Sequence, residues 1–495
     1  MILTIDLGTT NLKVGLFREN GSLTMVSTEQ TPYVLHPEGY TYIPAQGLWK
    51  QVQGLMQKTM ESSGNPNIRA VSITSMAESG LLMNPDNGRT VSEIIPWFDP
   101  SSVKQASFIE GEIDSFQQFC QTGLHVSFKH GLSKLLWLRE QESTLFTNQV
   151  VWLSVSSFIA YCLTGVIAEE KSLAARTFVY QIDRGEWDKN LISHFGLSPE
   201  LFPPVTHCLE PIGAVKKESC FLGLNITTNV YIAGHDHVSS SLAAGVVSPG
   251  SVYNSMGTAE TLVGTFIKRK LTKTDYQSGL SFGLHPLNHL YFWMGGHSSS
   301  GGSVEWMRDI LGDDRLTYAE INRYLELAGD DPSGIIFCPY LTGRGAPDPN
   351  PNATAAFLGL KKIHGKTDLL KAVLEGNAYQ MELLREEAEK TTGMKINRMS
   401  VIGGGVRNPH WIQIKANISG SDLILPNISE AALCGAALIS ATGEGIFSSL
   451  EEAVTNLRRE TDNIVHPNKE IYDSYRDIYE NQYKPLSKMM ELLTL

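Results

Sequence analysis

The same local pattern occurs twice in this chain: a strand, a turn built on Gly-Thr, and a second strand. The first copy spans residues 2–17 and turns at Gly8-Thr9-Thr10, and the second spans residues 251–263 and turns at Gly257-Thr258. Tight turns present backbone N–H groups that suit phosphate oxygens, although Gly-Thr turns also serve as plain hairpin connections. The repeat predicts that the second half of the chain follows the same plan as the first.

Two charged residues beside the first turn favour the phosphate interpretation. Asp6 precedes the glycine by two residues, from where it could reach a magnesium ion through water, and Lys13 could meet a phosphate on the same face. The chain has no G-x-x-x-x-G-K-[ST] motif, which excludes the P-loop class of nucleotide-binding proteins.

A carboxylate follows the strand predicted over residues 230–233. This short apolar run stops at Gly234 and continues as His235-Asp236-His237. The ends of buried strands are where α/β enzymes usually hold catalytic side chains. We interpret Asp236 as a general base; the alternative is a structural Asp that caps a helix over residues 238–244.

Composition restricts the class of protein. The 495 residues predict two to four domains, and the net charge of -12 provides no basic surface for nucleic acid or anionic membranes. No run of eighteen apolar residues predicts a membrane span, and the first residues predict a strand instead of a signal peptide. The six cysteines are scattered without C-x-x-C pairs, so we expect a cytoplasmic protein with reduced thiols and no zinc site.

Three residues of the first half are candidates for binding a hydroxylated ligand. Glu78 lies between small residues at a junction of two strands, where a solvated turn glutamate is the alternative. Trp97 and Asp99 combine an aromatic ring with a carboxylate, as sugar and polyol sites do, although plain core packing also explains Trp97.

Three consecutive glycines, Gly403-Gly404-Gly405, follow a predicted strand and precede a helix. Without Cβ atoms they let a flat ring or a ribose lie against the backbone. They are not a dinucleotide-binding fingerprint, because the chain lacks G-x-G-x-x-G at this place.

In this order, the motifs resemble the FGGY family of carbohydrate kinases. Residues 355–360 and 368–375 fit the C-terminal signature of that family at every constrained position. Residues 134–140 fit its N-terminal signature, but Lys129 and Gly131 stand where the pattern expects other residues. The resemblance covers roughly residues 1–450.

The resemblance implies an α/β fold of two actin/hexokinase-like (ribonuclease H-like) domains, each a mixed sheet flanked by helices, with a cleft between them. We expect an N-terminal domain over residues 1–248, a C-terminal domain over 249–455 and a helical tail over 456–495. It also implies ATP and Mg²⁺ as cofactors, with the metal held through water by Asp6 and Asp236. By resemblance, the nucleotide and its phosphates would be bound by Asp6, Gly8, Thr9, Thr10, Asn11, Lys13, Gly257, Thr258, Gly403, Gly404, Gly405 and Asn408.

The predicted acceptor site departs from the better-known members of this family. Residues 76–79 read Met-Ala-Glu-Ser, so Glu78 matches a glutamate of glycerol kinases and not the Gln-Met-His-Gly of xylulose kinases. Residues 97–99 resemble the Trp-Asn-Asp of pentulose kinases, but the arginine that commonly follows is absent. The acceptor site would consist of Glu78, Trp97, Asp99, His130, Asp236 and His237.

The predicted activity is transfer of the γ-phosphoryl group of ATP to a hydroxyl of a small sugar, with a pentulose such as xylulose first. Glycerol, a tetritol, another polyol or an aldonate such as gluconate is the alternative acceptor. A sensor that binds nucleotide and sugar without turnover is the alternative of another class, which Asp236 disfavours. We expect no nucleic-acid or membrane partner, and the oligomeric state is left open, a homodimer included.

Overall fold

The computed structural model describes residues 1–146, 149–312, 314–457 and 463–490. Its two large sheets come from the two halves of the chain, as the repeated pattern predicts. The first half contains the strands β1 Ile2–Leu7, β2 Asn11–Phe17, β3 Leu23–Gln30, β4 Val34–Leu35, β5 Thr41–Tyr42, β6 Ala70–Ser75, β7 Gly80–Met83, β8 Val151–Ser154, β9 Glu169–Glu170, β10 Tyr180–Gln181, β11 Glu186–Trp187, β12 Val205–Thr206, β13 Gly213–Ala214 and β14 Asn229–His235. The second half contains the strands β15 Val252–Met256, β16 Glu260–Ile267, β17 Ser281–Leu284, β18 Leu290–His297, β19 Ile336–Cys338, β20 Ala356–Leu358, β21 Arg398–Ile402, β22 Asp422–Leu425 and β23 Asn463–Val465.

Helices cover these sheets. Those of the first half are α1 Ala45–Ser62, α2 Val103–Glu112, α3 Ser115–Thr122, α4 Gly131–Gln141, α5 Val155–Thr164, α6 Lys171–Ala174, α7 Lys189–His194 and α8 Asp236–Ala243. Those of the second half are α9 Lys273–Gln277, α10 Ser300–Leu311, α11 Tyr318–Ala328, α12 Lys366–Thr392, α13 Pro409–Ser419, α14 Ala431–Gly443, α15 Leu450–Leu457, α16 Lys469–Ile478 and α17 Lys484–Met489. None of them is both long enough and apolar enough to cross a membrane.

The first sheet has six strands in the order β13-β14-β6-β1-β2-β3. Its central strands β14, β6 and β1 are parallel, and β2 returns antiparallel to β1. Every residue of β1 and β6 is buried, as expected for strands covered on both faces. The carboxyl ends of the three parallel strands therefore meet at one edge of this sheet.

The second sheet repeats this plan in seven strands, in the order β17-β18-β16-β15-β21-β22-β23. Here β15, β21 and β22 are parallel, and β16 returns antiparallel to β15. The turn between β15 and β16 is the second Gly-Thr turn, and the glycine run follows β21. The two predicted nucleotide-binding segments thus leave neighbouring parallel strands at the same edge.

Helix α14 belongs to the second half in sequence but packs on the first sheet. Its Leu433 and Ala437 share a buried cluster with Ile2, Phe17 and Tyr231. The small-residue composition of this helix predicts such close packing. The sequence did not indicate its partner.

Residues of the first half also pack into the core of the second half. Trp293 of the second half shares one hydrophobic core with Phe119, Tyr180 and Ile182 of the first half. The C-terminal helices carry buried tyrosines, and Tyr475 donates a hydrogen bond to Glu375 of α12 at 3.1 Å.

The predicted domain boundaries at residues 248 and 455 stay predictions. Residues 458–462 and 491–495 of the predicted tail lie outside the described residues.

Candidate active site

Three predicted carboxylates lie at or just beyond the carboxyl ends of the parallel strands of the first sheet. Asp6 lies near the end of β1, Glu78 follows β6 by three residues, and Asp236 directly follows β14. Side chains from β1 and β14 are separated by a single strand, β6. The fold therefore assembles acidic groups that are more than two hundred residues apart in sequence.

Asp236 is the first residue of α8, a helix that begins two residues earlier than predicted. Its Oδ1 atom accepts the backbone N–H of His237 at 2.6 Å and lies 3.2 Å from Nε2 of His235. Burial raises the pKa of this carboxyl to about 7. A quarter of the side chain remains exposed, so it can still meet a ligand.

Asp6 and Asp236 interact electrostatically across β6. Burial, together with the charge of Asp236, raises the pKa of Asp6 to about 8, and the charge of Lys13 opposes this shift. Oδ1 of Asp6 is buried and has no hydrogen-bond partner among the described residues. Lys13 itself forms an ion pair with Glu430, at the start of α14, with 2.6 Å between Nζ and Oε2.

The first Gly-Thr turn is closed by a hydrogen bond from the Gly8 N–H to the Asn11 carbonyl at 3.1 Å. A Cβ atom on Gly8 would lie 2.9 Å from that carbonyl oxygen, so the turn requires glycine. Thr9 accepts the indole N–H of Trp97 at 2.9 Å, and Thr10 is exposed at the tip. Trp97 therefore lies beside the first predicted phosphate-binding turn.

The second turn is exposed and rests on the first turn of α10. Gly301 and Gly302 donate their N–H groups to the carbonyls of Gly257 and Thr258, at 3.1 and 3.0 Å. A Cβ atom on Gly301 would lie 2.5 Å from the Gly257 oxygen, so these two segments approach too closely for a side chain. The two glycines of α10 were not among the predicted site residues.

The glycine run lies against the end of β15. Gly403 has a φ of +100°, and a Cβ atom there would lie 2.5 Å from the Met256 carbonyl oxygen. Gly404 is exposed with open space in front of it, whereas a side chain on Gly405 would meet Met256. Asn408 caps α13 by accepting the Trp411 N–H at 3.1 Å.

A cavity of about 480 Å³ lies beside α10. Its lining includes Trp306 of that helix together with Phe337 and Tyr340. Helix α10 thus connects the second Gly-Thr turn to an aromatic cavity. No local sequence pattern indicates this cavity, because its walls come from separate segments.

Glu78 adopts a φ of +58° and forms an ion pair with Arg176. Nε of Arg176 donates to Oε1 of Glu78 at 2.6 Å. Burial by itself would raise the pKa of Glu78, but Arg176, with His235 and His130, lowers it to about 2. Arg176 was not a predicted site residue, and it lies 98 positions from its partner.

The predicted histidines His130 and His237, and the neighbouring His235, are buried or half-buried and neutral at pH 7. Burial lowers the pKa of His130 to about 3 and that of His237 to about 4, and it lowers the pKa of His235 well below its ordinary value. His130 donates its Nε2–H to the His125 carbonyl at 3.0 Å, and its Nδ1 has no partner among the described residues. The hydroxyl of Tyr253 donates to the His237 carbonyl and lies 2.9 Å from Nδ1 of that ring, which links α8 to β15.

The remaining predicted acceptor residues differ in their availability. The Trp97 ring faces Nζ of Lys129, 5.0 Å from the ring centroid. Asp99 is buried, and its two oxygens accept the backbone N–H groups of Thr41 and Ser101, at 2.6 and 3.0 Å. Its contact with an acceptor therefore stays a prediction, and in the structure it holds a loop.

No group of three or more His, Cys, Asp or Glu side chains that could hold a metal ion occurs in the described part of the chain. The carboxylates of Asp6 and Asp236 form a pair without a third such ligand. An Mg²⁺ ion is commonly bound by one or two carboxylates together with substrate phosphates. The pair suits an ion that arrives with a nucleotide better than a resident metal.

Comparisons with known proteins identify the family to which the sequence is similar. Sequence models of the FGGY family of carbohydrate kinases match residues 1–243 with the N-terminal domain and residues 252–443 with the C-terminal domain. A xylulose kinase of Bacillus subtilis (strain 168) is 26% identical over 494 residues, which is 97% of this chain and 96% of that protein. A glycerol kinase of Trichodesmium erythraeum (strain IMS101) is 26% identical over 485 residues, 94% of each chain.

Solved structures confirm the predicted fold class. A gluconate kinase from Lactobacillus acidophilus superimposes with a TM-score of 0.91 at 20% identity, covering 99% of this chain and 98% of that one. A ligand-bound xylulose kinase from the same organism gives a TM-score of 0.90 at 20% identity, with the same coverage. At this identity the likeness shows the fold alone.

Proposed function

The chain belongs to the FGGY family of carbohydrate kinases, and we propose that it transfers the γ-phosphoryl group of ATP to a hydroxyl of a small sugar with Asp236 as the general base. The observation that carries this assignment of roles is the meeting of Asp6, Glu78 and Asp236 at one sheet edge. Asp6 belongs to β1, whereas Glu78 and Asp236 follow β6 and β14. A carboxylate beside the acceptor and turns that bind phosphate are the parts that phosphoryl transfer requires.

In the proposed reaction the acceptor hydroxyl oxygen attacks the γ-phosphorus. The new P–O bond forms while the bond to the β,γ-bridging oxygen breaks, and ADP leaves. The hydroxyl proton passes to a carboxylate oxygen of Asp236. Its pKa of about 7 is close to the working pH, which suits a group that must accept a proton in one step and release it afterwards.

The two Gly-Thr turns and the glycine run are the proposed nucleotide site. The backbone of residues 8–10 and 257–258 would bind the phosphates, and Gly403, Gly404 and Gly405 would face the nucleoside, where Gly404 leaves open space. Lys13 would exchange its ion pair with Glu430 for a phosphate oxygen. We place the reaction in the cytoplasm, consistent with the scattered cysteines of the sequence.

Magnesium is the proposed companion of the nucleotide. The residues present fit such an ion, because the buried Oδ1 of Asp6 has no hydrogen-bond partner among the described residues and Asp236 is its electrostatic neighbour. Asp6 and Asp236 would hold it, through water and the phosphates. When bound, it would neutralise charge on the transferred phosphoryl group.

A pentulose such as xylulose is the first candidate acceptor, because xylulose kinases are similar to this chain over nearly its whole length. Glu78 has one carboxylate oxygen engaged with Arg176, which leaves the other for a sugar hydroxyl. Trp97, beside the first Gly-Thr turn, offers a ring face to the C–H groups of a sugar.

The test is a coupled assay of ADP release with a panel of pentuloses, hexuloses, polyols and aldonates. We expect ADP release with at least one acceptor and its loss in Asp236→Asn, which retains the shape of the side chain. Release of ADP that no acceptor increases, or an unchanged rate in the Asn variant, would contradict the proposal. Omitting Mg²⁺ in the presence of EDTA tests the metal in the same assay.

A sugar acid is the second candidate, favoured by two cationic groups of the acceptor site. Nζ of Lys129 forms no hydrogen bond or ion pair among the described residues; it faces the Trp97 ring and interacts electrostatically with Glu78 and Arg176. Nη1 of Arg176 is buried without a hydrogen-bond partner there. A carboxylate would bring the opposite charge and stronger, charge-assisted hydrogen bonds to these groups, whereas the hydroxyl groups of a neutral sugar would accept only hydrogen bonds without charge neutralisation.

A comparison of KM values for a sugar and a sugar acid of equal carbon number distinguishes a pentulose kinase from a sugar-acid kinase. With the pair xylulose and xylonate, a sugar-acid kinase should have the lower KM for xylonate, and Lys129→Met should raise that KM about tenfold or more, the loss of one charge-assisted hydrogen bond. Lys104→Met, which removes an exposed lysine of α2, is the matched control. A wild-type preference for xylulose that Lys129→Met leaves unchanged would decide for the pentulose.

A further inference from the structure

One peptide group, between Gly234 and His235, is held by side chains on both of its ends. Its carbonyl accepts the hydroxyl of Thr74 at 2.8 Å, and its N–H group donates to Oγ of Ser172 at 3.0 Å. The register between β14 and β6 shifts at this point, between Ile232 and Gly234. Two hydroxyl groups therefore bind a peptide that a regular strand would bind through its neighbour's backbone.

Ser172 is in turn fixed by Glu170. Its N–H group donates to Oε2 of Glu170 at 2.7 Å, and its hydroxyl donates to the same oxygen. Both side chains are nearly inaccessible, with exposed fractions of 4% for Glu170 and 2% for Ser172. The hydroxyl proton is thus committed to Glu170, and the oxygen lone pair is left to accept the His235 N–H.

Gly234 is required by this arrangement. Its φ is +93°, and a Cβ atom there would lie 2.4 Å from both Oε2 of Glu170 and Oγ of Ser172. The glycine therefore gives room for the two side chains to reach the peptide. Its presence one residue before the His235-Asp236 pair is explained by this contact.

We infer that Ser172, oriented by Glu170, is a positioning residue for the base Asp236. The peptide it holds ends one residue before Asp236, so its orientation sets the direction in which the chain leaves β14 and enters α8. The inference rests on the proposed function, because it requires Asp236 to act as the base. Arg176, four residues further along, pairs with Glu78, so one segment orients both the base and the acceptor carboxylate.

The test compares Ser172→Ala with Ser157→Ala. Ser157 is an equally buried serine that donates to Oε1 of Glu169 at 2.8 Å, and among the described residues it forms no hydrogen bond with the Gly234–His235 peptide. We expect Ser172→Ala to lower kcat about 10- to 100-fold, as for a reacting group displaced by a fraction of an ångström, with the KM values for ATP and acceptor changed less than twofold. Ser157→Ala should keep kcat.

Thr74 provides a second, independent pair of variants in case Ser172→Ala does not fold. Thr74→Val removes the hydroxyl but keeps the shape, and Thr74→Ser keeps the hydroxyl. We expect kcat to fall in the Val variant and to be retained in the Ser variant. Equal losses of kcat in Ser172→Ala and Ser157→Ala, or a loss that appears only in KM, would overturn the inference.

Hydrogen exchange gives a readout that needs no turnover. The His235 amide should exchange at least tenfold faster in Ser172→Ala than in the wild type, and at the wild-type rate in Ser157→Ala. Unchanged protection in Ser172→Ala would overturn the inference even if the kinase activity is established. A wild type that phosphorylates no acceptor of the panel would instead contradict the proposed function, while the exchange comparison would still decide whether Ser172 holds the peptide.

Discussion

At Asp236, the burial that prepares the carboxyl for proton transfer also makes its ionised form costly to the fold. Its pKa is about 7 in the folded chain against an ordinary value of 3.8. The folded state therefore binds the proton more tightly than the unfolded state, and the wild type loses stability as the pH rises from about 4 to about 7. A tenfold difference in proton affinity is about 1.4 kcal/mol, so the upper limit of this loss is about 4 kcal/mol.

The variant Asp236→Asn distinguishes the effect of this carboxyl on catalysis from its effect on stability. We expect turnover to fall about 10²- to 10⁴-fold, the usual contribution of general base catalysis, with ATP affinity retained. Because Asn does not ionise, the variant should melt above the wild type at pH 8, and the difference should shrink toward pH 5. Scanning calorimetry at several pH values and nucleotide titration measure both effects; a variant that melts below the wild type at pH 8 would contradict the assigned burial.

Glu78 is the residue whose replacement should affect the acceptor more than the nucleotide. In Glu78→Gln the acceptor KM should rise about tenfold or more through loss of a charged hydrogen bond, with the KM of ATP within a factor of two. Stability should fall by about 3 kcal/mol or more, because Arg176 is left as a buried and unpaired charge.

The double variant Glu78→Gln/Arg176→Met distinguishes the acceptor contact from the ion pair. Removing the guanidinium should restore most of the lost stability and leave the acceptor KM high. An acceptor KM that stays at the wild-type value in the single variant would assign Glu78 a purely structural role. Initial-rate kinetics and urea unfolding supply the two measurements.

Local sequence patterns predict some of the site residues and not others. Asp236 directly follows a strand and Glu78 lies three residues beyond one, so the local sequence pattern indicates both residues. Arg176 and Ser172 act on partners 98 and 63 positions away, and nothing near them in sequence indicates a site. Their roles exist only after the segment that carries them has packed against the ends of β6 and β14.

At the scale of elements, α14 and α8 cross at a glycine. A Cβ atom on Gly435 would lie 1.8 Å from the Ser239 carbonyl oxygen, so Gly435→Ala must push the helices apart by more than 1 Å. We expect the free energy of unfolding to fall by about 3 kcal/mol, the upper range for overpacking in a core. Because α8 begins at Asp236, kcat should fall as well.

Gly54→Ala is the matched control for this substitution. Gly54 lies inside α1, is exposed, and a Cβ atom there would meet no atom within 4 Å. Alanine at such a place should stabilise the chain by roughly 0.5–1 kcal/mol and leave kcat unchanged. Urea unfolding measures the free energy of unfolding of both variants. Similar changes in Gly435→Ala and Gly54→Ala would mean that the crossing of α14 and α8 does not require a glycine.

The elements themselves were predictable where their pattern was strong. The strand predicted over residues 230–233 is the middle of β14. Helix α8 begins two residues before the helix predicted over residues 238–244, because Asp236 and His237 already belong to its first turn. The surface on which α14 packs could not be predicted, because small residues permit close packing against any surface and do not specify which one.

At the scale of the whole molecule, the two halves share parts of their cores. Helix α14 covers the face of the first sheet that contains Ile2, Phe17 and Tyr231, and residues of the first half complete the core of the second. The repeated strand pattern predicts two similar halves, and it gives no sign of this exchange. The predicted domains at residues 1–248 and 249–455 are therefore not expected to be independent folding units.

This exchange predicts that the full chain unfolds in one cooperative transition and that a fragment of residues 1–248 does not fold cooperatively. The fragment would expose the apolar face that α14 covers, whose burial is worth about 25 cal/mol per Å². Joining residues 429–457 to that fragment through a flexible linker restores α14 and α15 and should recover a cooperative transition. Scanning calorimetry of the three proteins measures the cooperativity and the temperature of unfolding. A fragment of residues 1–248 that melts cooperatively at the temperature of the full chain would show that the first half folds without α14.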